Sequence, residues 1–300
     1  MKYTRNENSI VIFPSQQYEK KSVRDFLDEY LISRKNRYLL LQNRQILLDG
    51  KPVTSDEQLI GSQPVTLLIP PEEPDWKPAA APCKVVYEDD FVYIVHKDPG
   101  CIIHGEADDD TCLNAMAARY QLDHQILSPV RPLHRLDKDT QGLVLYSKIP
   151  FFQAWLDNQL AEKQISRHYL AIARGRCKPH TKAVYKDRIG RDRHKNGVYR
   201  ISKTGVEAET RTECLAEKNG YLLFACELET GRTHQIRVHL AGHGFPIVND
   251  PLYGTPSRDF RHMGLWADEI TFRSPITRKK HRIHDIKNDD YQLFEGEIKQ

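Results

Sequence analysis

The segment that most constrains the fold of this 300-residue chain is a proline-rich stretch within its first third. Prolines occur at positions 70, 71, 74, 78 and 82. Because proline lacks a backbone N–H and fixes φ, such a stretch excludes a regular helix or a central strand. It is typical of a semi-rigid spacer. The sequence therefore predicts a small domain over residues 1–70, a linker over 71–83 and a larger domain over 84–300.

The first 70 residues carry the pattern of a small α+β unit. Apolar residues recur every three or four positions over residues 23–31, which predicts an amphipathic helix. A second helix is expected to open at Ser33 and to carry the leucines at 39–41. Residues 46–53 predict two short strands around an Asp-Gly turn, and residues 65–69 predict a closing strand.

In the larger part, residues 131–145 set a carboxylate among basic side chains and then turn at a glycine into an apolar strand. Asp137 lies between His134, Arg135 and Lys138 in the sequence. Nearby cations favour the ionised form of a carboxyl group. An ionised, positioned carboxylate can act as a base or as a covalent nucleophile. An ordinary surface turn held by ion pairs is the alternative that this segment alone leaves open.

Further along the chain, the segment from Thr233 to Leu240 alternates polar and apolar side chains. This alternation predicts a strand, or a strand entering a helix. As a strand, it places Gln235, Arg237 and His239 on one face. A row of three hydrogen-bonding side chains is costly against an apolar core and useful against a polar ligand. The segment is therefore a second candidate for a binding or catalytic site.

These two segments and their surroundings resemble the RluA-type pseudouridine synthases over residues 84–276. The blocks that carry the resemblance are His134-Arg135-Leu136-Asp137 through Gly142, Arg167-His168-Tyr169, Gly231 through Ile247, and Leu265-Trp266-Ala267 through Pro275. Several ordered blocks are more specific than any single motif. The chain departs from the family pattern at four positions: Gln141 replaces the usual Ser, Arg167 the usual Lys, and Trp266 and Ser274 each replace a usual His.

The resemblance implies a fold class and a reaction. The fold is α+β, the pseudouridine synthase fold, with a long mixed, mainly antiparallel sheet, flanking helices and a central catalytic cleft. The reaction isomerises uridine to pseudouridine in RNA, and it needs no cofactor or metal because no redox change or group transfer occurs. Asp137 is expected to be the nucleophile or base, and Arg237 to pair with it. Tyr169 is expected to stack on the target uracil and assist proton transfer.

The resemblance also implies contacts with RNA. Enzymes that act on a base in folded RNA usually extrude it, and Arg135 resembles the residue that fills the vacated space. A phosphate clamp is the equally weighted alternative for Arg135. The residues expected to contact RNA or the base are His134, Arg135, Arg167, Arg232, His234 and Gln235. The enzyme is expected to be a monomer, with large-subunit ribosomal RNA as its first expected substrate and transfer RNA as the second.

The pattern of residues 1–70, two helices and small strands around an Asp-Gly turn, resembles the S4 RNA-binding domain. This domain is expected to bind RNA beside the catalytic one. The net charge of the chain is only +3, so the distribution of charge says more than the total. Seven basic residues against two acidic ones lie over 186–203, which predicts an exposed basic hairpin or loop suited to phosphates. Residues 278–282 form a second basic cluster that is expected to contact RNA.

The cysteine and apolar content indicates the compartment. Six scattered cysteines without a CxxC pair argue against zinc knuckles and against a disulfide framework. Reduced thiols are typical of intracellular proteins. No apolar run approaches the length of a membrane span, and the polar N-terminus does not resemble a signal peptide. The sequence therefore predicts a cytoplasmic protein.

One competing interpretation is a phosphatase. Asp137, Asp139 and Thr140 fit the D-x-D-x-T pattern of aspartyl-phosphate phosphatases, in which Mg²⁺ assists. That fold needs the first aspartate at the end of a buried apolar strand, and residues 131–136 cannot form one. A motif without its structural context is weak evidence.

Two further alternatives concern a metal site and a loss of activity. His234, His239 and His243 are five and four residues apart, which gives no consistent ligand face on a strand or a helix. Zinc is therefore not expected. An RNA-binding or ribosome-assembly protein on an inactive scaffold is the more serious alternative. The retained catalytic candidates argue against a full loss of activity, and a second role in RNA folding stays open.

Overall fold

The computed structural model of the chain describes residues 1–106 and 109–298. Its N-terminal unit is a five-stranded sheet with two helices and a short 3₁₀ turn. The strands are β1 (Lys2–Asn6), β2 (Ser9–Phe13), β3 (Ile46–Leu48), β4 (Lys51–Pro52) and β5 (Val65–Leu68), and the helices are α1 (Val23–Glu29) and α2 (Arg34–Gln42). The strand order is β1-β2-β5-β3-β4.

Local sequence signals explain these elements. Ser22 and Asp25 form a reciprocal capping box at the start of α1, and the Ser33 side chain caps α2; such caps each stabilise a helix by about 1 kcal/mol. Asp49 and Gly50 take φ angles of 47° and 75° between β3 and β4, as a two-residue hairpin turn requires. The predicted helices and strands of this unit are confirmed, whereas β1 and β2 were not predicted.

The larger unit is built on a ten-stranded sheet, flanked by three helices and a separate hairpin. Its strands are β6 (Lys84–Glu88), β7 (Val92–Lys97), β8 (Arg131–Pro132), β9 (Gln141–Ser147), β10 (Ser166–Ala173), β11 (Lys182–Tyr185), β14 (Thr210–Lys218), β15 (Tyr221–Leu228), β16 (Leu265–Arg273) and β17 (Lys280–His284). The hairpin is β12 (Ile189–Arg191) and β13 (Tyr199–Ile201). The helices are α3 (Leu113–Asp123), α4 (Pro150–Ala161) and α5 (Gln235–Gly242), with a 3₁₀ segment at Asp289–Glu297.

The sheet runs in the order β11-β14-β15-β10-β16-β9-β7-β6, with β17 beside β16 and β8 beside β9. Its pairs are antiparallel except for the parallel pair between β16 and β9. This architecture confirms the predicted mixed, mainly antiparallel sheet with flanking helices. Strands β7 and β9 are buried along their whole length because both faces of the sheet are covered.

The two faces carry different cores. On one face, α3 and α5 pack side chains such as Ala117 and Ile236 against alternate residues of β9, β10 and β15. On the other face, α4 contributes Phe152 and Trp155 to a core that continues into the N-terminal unit. The 3₁₀ segment near the C-terminus covers the rest of this second face with Tyr291 and Phe294. The described residues contain no helix long and apolar enough to cross a membrane.

The N-terminal unit and the larger unit share a continuous core. Tyr30, at the end of α1, is buried with its ring 5.2 Å from that of Phe152 and its hydroxyl 3.2 Å from the carbonyl of Pro275. Arg278 lies over the Tyr30 ring and pairs with Glu29 at 2.5 Å. The two units are therefore fastened to each other by packing and by charge.

The proline-rich segment lies on the larger unit. It contains no helix or strand between Leu68 and Lys84. Asp75 accepts hydrogen bonds from the backbone of Val130 at 2.9 Å and from Arg131 at 2.6 Å, and Trp76 packs against α3. The segment is therefore bound along the surface of the larger unit.

The predicted strand over residues 233–240 is wrong. His234 adopts a left-handed conformation with φ of 57°, and the helix α5 starts at the next residue. Its apolar side chains pack in two directions, Ile236 and Leu240 into the sheet core and Val238 against the β12–β13 hairpin. A helix buried on nearly all sides has no single apolar stripe. The alternation of polar and apolar residues therefore did not reveal the helical period.

Candidate active site

A polar cleft crosses the face of the sheet near the ends of β10 and β15. It has a volume of about 1950 Å³. Its walls are the loop between β8 and β9, the start of β10, and the segment that leads from β15 into α5. Asp137, Tyr169 and Arg237 all line this cleft, although they are far apart in the chain.

The loop that carries Asp137 is fixed by a buried lysine. Lys97, at the end of β7, is fully buried and donates to the carbonyls of Lys138 at 2.8 Å, Cys101 at 2.8 Å and Asp98 at 3.1 Å. Gly100 donates a backbone hydrogen bond to the same Lys138 carbonyl at 2.9 Å. Burial lowers the pKa of Lys97 to about 8. The residue next to Asp137 is thus held from two sides.

Helix α5 brings Arg237 to this carboxylate. Nη1 of Arg237 donates to Oδ2 of Asp137 at 2.9 Å. The other edge of the guanidinium binds Asp250, with Nε at 2.7 Å from Oδ2 and Nη2 at 2.9 Å from Oδ1. Burial by itself would lower the pKa of Arg237, but the hydrogen bonds and charges of Asp250 and Asp137 outweigh it and raise the pKa. Arg237 is therefore a permanent cation between two carboxylates.

Asp137 keeps part of its carboxylate open to the cleft. Its side chain is 25% exposed, whereas that of Arg237 is 3% exposed. Among the described residues, Oδ2 of Asp137 forms the hydrogen bond to Arg237, and Oδ1 forms none. The arrangement orients the carboxylate and leaves one oxygen available for chemistry.

Tyr169 on β10 is buried at the cleft floor. It is 4% exposed, and its hydroxyl has no hydrogen-bond partner among the described residues. Burial raises the pKa of Tyr169, and the charge of Asp137 adds to that effect. The side chain therefore presents a neutral ring and an uncommitted hydroxyl to the cleft.

His234, at the entrance to α5, connects the cleft with the basic hairpin. Its Nε2 lies 3.9 Å from Oδ2 of Asp137, and its Nδ1 lies 2.9 Å from the hydroxyl of Tyr253. The Tyr253 hydroxyl also accepts from the backbone N–H of Tyr199 in β13 at 2.8 Å. Burial lowers the pKa of His234. A neutral imidazole thus stands next to the carboxylate.

Three of the predicted RNA-contacting residues are arginines on the cleft surface. Arg135 and Arg232 are exposed, and Arg167 is half-buried at the start of β10. Arg232 donates to the carbonyl of Glu207 at 3.0 Å. Within the described parts of the chain, none of the three forms a salt bridge, so their charges are free to meet phosphate.

Two of the predicted RNA-contacting residues are buried and occupied by the protein. His134 is 7% exposed, its Nε2 accepts from the backbone of Leu145 at 3.3 Å, and burial lowers its pKa to about 3. Gln235 is 3% exposed. Its amide oxygen accepts two hydrogen bonds and its amide nitrogen donates two, all within the protein. Both residues line the cleft and form contacts within the protein, and their contact with RNA stays a prediction.

The cationic neighbours of Asp137 also differ from those that the sequence indicated. His134, Arg135 and Lys138 surround it in the chain, but among the described residues its charged partner is Arg237 of α5, and the neutral His234 lies just before that helix. Asp250, which completes the network, is not among the residues that the sequence analysis identified. The signal that could have identified it is an acidic residue in a Gly- and Pro-rich turn 13 residues after the motif arginine.

The two basic segments, residues 186–203 and 278–282, differ in how far their charges are engaged within the protein. Residues 186–203 include the exposed β12–β13 hairpin, as predicted. In the second cluster, Arg278 binds Glu29 of the N-terminal unit and Arg282 pairs with Glu269 at 3.2 Å. That cluster is therefore committed in part to holding the protein together.

The family model for RNA pseudouridylate synthase matches residues 91–242. The uncharacterized RNA pseudouridine synthase YlyB of Bacillus subtilis is 32% identical over 282 residues, covering 90% of this chain and 91% of its own. YhcT of the same organism is 38% identical over 197 residues, covering 64% of this chain and 65% of its own length, just under two thirds. Ribosomal large subunit pseudouridine synthase D of Xanthomonas campestris is 30% identical over 296 residues. The alignment covers 92% of this chain and 87% of that protein.

Solved structures show the same fold. Human RNA Pseudouridylate Synthase Domain Containing 1 aligns with a TM-score of 0.56 at 22% identity, over 70% of this chain and 84% of its own. Human RNA Pseudouridylate Synthase Domain Containing 4 aligns with a TM-score of 0.54 at 19% identity, over 67% of this chain and 87% of its own. Together with the family match and the full-length relatives, this shows that the chain belongs to the RNA pseudouridylate synthase family, and within it to the RluA type of RNA-modifying isomerases.

Proposed function

We propose that the chain isomerises specific uridines of large-subunit ribosomal RNA, with transfer RNA as the second substrate class, and that Asp137 is its catalytic carboxylate. The observation that carries the proposal is the Arg237–Asp137 hydrogen bond of 2.9 Å inside the cleft. The names of relatives such as the Xanthomonas campestris enzyme support the choice of ribosomal RNA. We also propose that the enzyme acts as a monomer.

The chemistry fits a carboxylate with one free oxygen. The N1–C1′ bond of uridine breaks, the uracil turns, and a C5–C1′ bond forms. The proton on C5 leaves and N1 gains one, so the reaction balances without a cofactor or metal. The free Oδ1 of Asp137 can attack the sugar, add to the base, or remove a sugar proton, and each route uses the same ionised group. Arg237 orients that group through the other oxygen.

The buried ring of Tyr169 supports a role beneath the target base. Its ring supplies an apolar surface on which uracil can stack, and its unpartnered hydroxyl can take part in proton transfer. Arg135 lies exposed on the cleft wall, a position from which it can enter the space of an extruded base or clamp a phosphate.

Phosphate binding is proposed along the hairpin and the cleft rim. Arg191, Arg193 and Lys195 are exposed at the hairpin, and no salt bridge engages them among the described residues. By contrast, Arg188 and Arg200 are paired with acidic side chains. We expect the unpaired cations, together with Arg167 and Arg232, to give RNA binding a strong salt dependence.

Residues 1–70 are proposed to be an S4-like RNA-binding domain, linked through residues 71–83 to the catalytic domain at 84–300. The feature that supports this is α2, which contains no fully buried residue. Arg34, Lys35 and Tyr38 are exposed on it, and Tyr38 is 64% exposed. A basic helix that also presents an aromatic ring fits single-stranded or looped RNA.

The test is pseudouridine mapping of ribosomal and transfer RNA from cells that lack the protein. We expect defined sites to disappear and to return with the wild-type protein but not with Asp137→Asn. Asp139→Asn is the matched control, because Asp139 lies two residues along the same loop and has no salt bridge among the described residues. Restoration of the sites by Asp137→Asn would refute the catalytic assignment, and persistence of every site in the deletion would refute the substrate assignment.

A further inference from the structure

Asp250 is a buried acidic residue that the reaction as described above does not use. Its side chain is completely buried. It lies in the tight turn after Ile247, where its Oδ1 accepts from the backbone N–H groups of Leu252 at 2.9 Å and Tyr253 at 3.2 Å. Gly254 closes the turn so tightly that a Cβ there would lie 2.7 Å from Cβ of Asp250. The turn thus folds around this carboxylate.

The remaining bonds of Asp250 go to Arg237. They occupy Nε and Nη2, which form one edge of the guanidinium fork. A guanidinium can also offer its other edge, Nη1 and Nη2, as a fork to a second carboxylate. Asp250 fixes the orientation of the guanidinium, and in this orientation Asp137 receives a single bond from Nη1. This division of the guanidinium leaves Oδ1 of Asp137 without a partner among the described residues.

We propose that Asp250 is a positioning residue for the isomerisation: it holds Arg237 so that one N–H, and not the full fork, meets Asp137. The inference rests on the proposed role of Asp137. Asp250 touches neither the substrate nor the reacting atoms, and it acts through Arg237. Its second task is to shape the turn that carries Tyr253, whose hydroxyl contacts His234.

Removal of the Asp250 charge has a defined consequence. Without Asp250 the guanidinium is free to turn and to present its Nη1–Nη2 edge to Asp137, because a forked pair is stronger than a single bond. Both oxygens of Asp137 then become engaged, so the carboxylate is less available to the substrate. Asp137 also takes up a proton less readily, because Arg237 then faces one carboxylate instead of two.

Asp250→Asn is the informative variant because it alters few contacts. An asparagine can keep its oxygen at the Oδ1 position, so the bonds to Leu252 and Tyr253 remain. It replaces Oδ2 with an amide nitrogen, which cannot accept from Nε of Arg237. Arg237 still faces Asp137, so no buried charge is left unpaired.

The experiment measures single-turnover rate constants on a target RNA from pH 5 to pH 8.5, with RNA affinity and melting temperature of each variant. We expect Asp250→Asn to react about 100-fold more slowly with RNA affinity within about twofold of wild type. We expect the acid limb of its rate profile to move to lower pH by about one unit. Asp250→Glu, which keeps the carboxylate, should restore the position of the acid limb.

Controls separate this role from a structural one. Asp285→Asn alters another fully buried carboxylate, which accepts from Trp266 and contacts His96 at 2.7 Å; its acid limb should stay at the wild-type position. In an Arg237→Lys background, which has no fork, Asp250→Asn should change the rate less than about twofold. Asp250→Ser can keep one turn bond and provides the same readouts if the Asn variant does not fold.

A wild-type rate in Asp250→Asn would overturn the proposal, as would a rate reduced by the same factor at every pH. A further loss of full size in the Arg237→Lys background would show that Asp250 acts independently of Arg237 and would also overturn it. An active Asp137→Asn enzyme would instead refute the proposed function on which the inference depends.

Discussion

The charge of Lys97 should leave a measurable signature in the stability of the protein. Lys97 is fully buried, and burial lowers its pKa from 10.5 to about 8. The difference corresponds to about 3 kcal/mol between the folded and unfolded states. Below pH 8 both states carry the charge, so the cost of burying it is fully present. Between pH 8 and 10.5 the unfolded chain binds more protons than the folded one, so stability rises with pH.

Lys97→Met isolates this effect. Tyrosines and cysteines also titrate in this range, but their contributions are common to both proteins and cancel in the difference. Urea unfolding of wild type and variant should be measured at several pH values from 7 to 10.5. We expect the stability of wild type relative to the variant to increase by about 3 kcal/mol over this range. A difference that stays constant with pH would show that Lys97 is not buried as a cation and would refute the reasoning.

Three other changes test the fold around the site. Gly142→Ala should destabilise the protein by about 3 kcal/mol or more, because φ is +117° and a Cβ would lie 2.3 Å from the carbonyl oxygen of Ala267. The control Gly50→Ala, with open space around the added Cβ, should cost about 1 kcal/mol. Equal losses of stability for the two variants in urea unfolding would contradict this prediction. Tyr30→Ala should cost about 3–5 kcal/mol and lower one common calorimetric transition, whereas two separate transitions would show independent units. His134 is held neutral with a pKa of about 3, so stability should fall as pH drops below 6.5. His134→Gln should remove about 3 kcal/mol of that fall between pH 6.5 and 4, and an unchanged slope would contradict it.

The parts of the fold that the sequence predicted are those with local signals. The caps at Ser22 and Ser33 and the Asp49-Gly50 turn act within a few residues, so the N-terminal helices and the β3–β4 hairpin could be recognised. The α5 helix could not, because tertiary contacts cover nearly every side of it and its polar side chains are buried with partners.

The candidate site shows the same limit. The motifs identified Asp137, Tyr169 and Arg237, and the structure brings them into one cleft. The sequence indicated the wrong cations around Asp137, because side chains that are adjacent along a loop point in different directions. Lys97 and Asp250 were missed as parts of the site because their roles depend on contacts with backbone and side chains far away in the sequence. Burial and partner geometry are not visible in a linear pattern.

The packing of Tyr30 against Phe152, and of Arg278 against Glu29, has a consequence for how a target uridine is chosen. The two surfaces that we propose to bind RNA, one on the N-terminal unit and one at the cleft, belong to units that share one core, so we expect the distance between them to be constant. An RNA whose loop and flanking helix match that span can occupy both surfaces at once, and one that does not must give up one of them. Insertions into residues 71–83 should leave this span unchanged, because the core and not the linker sets it.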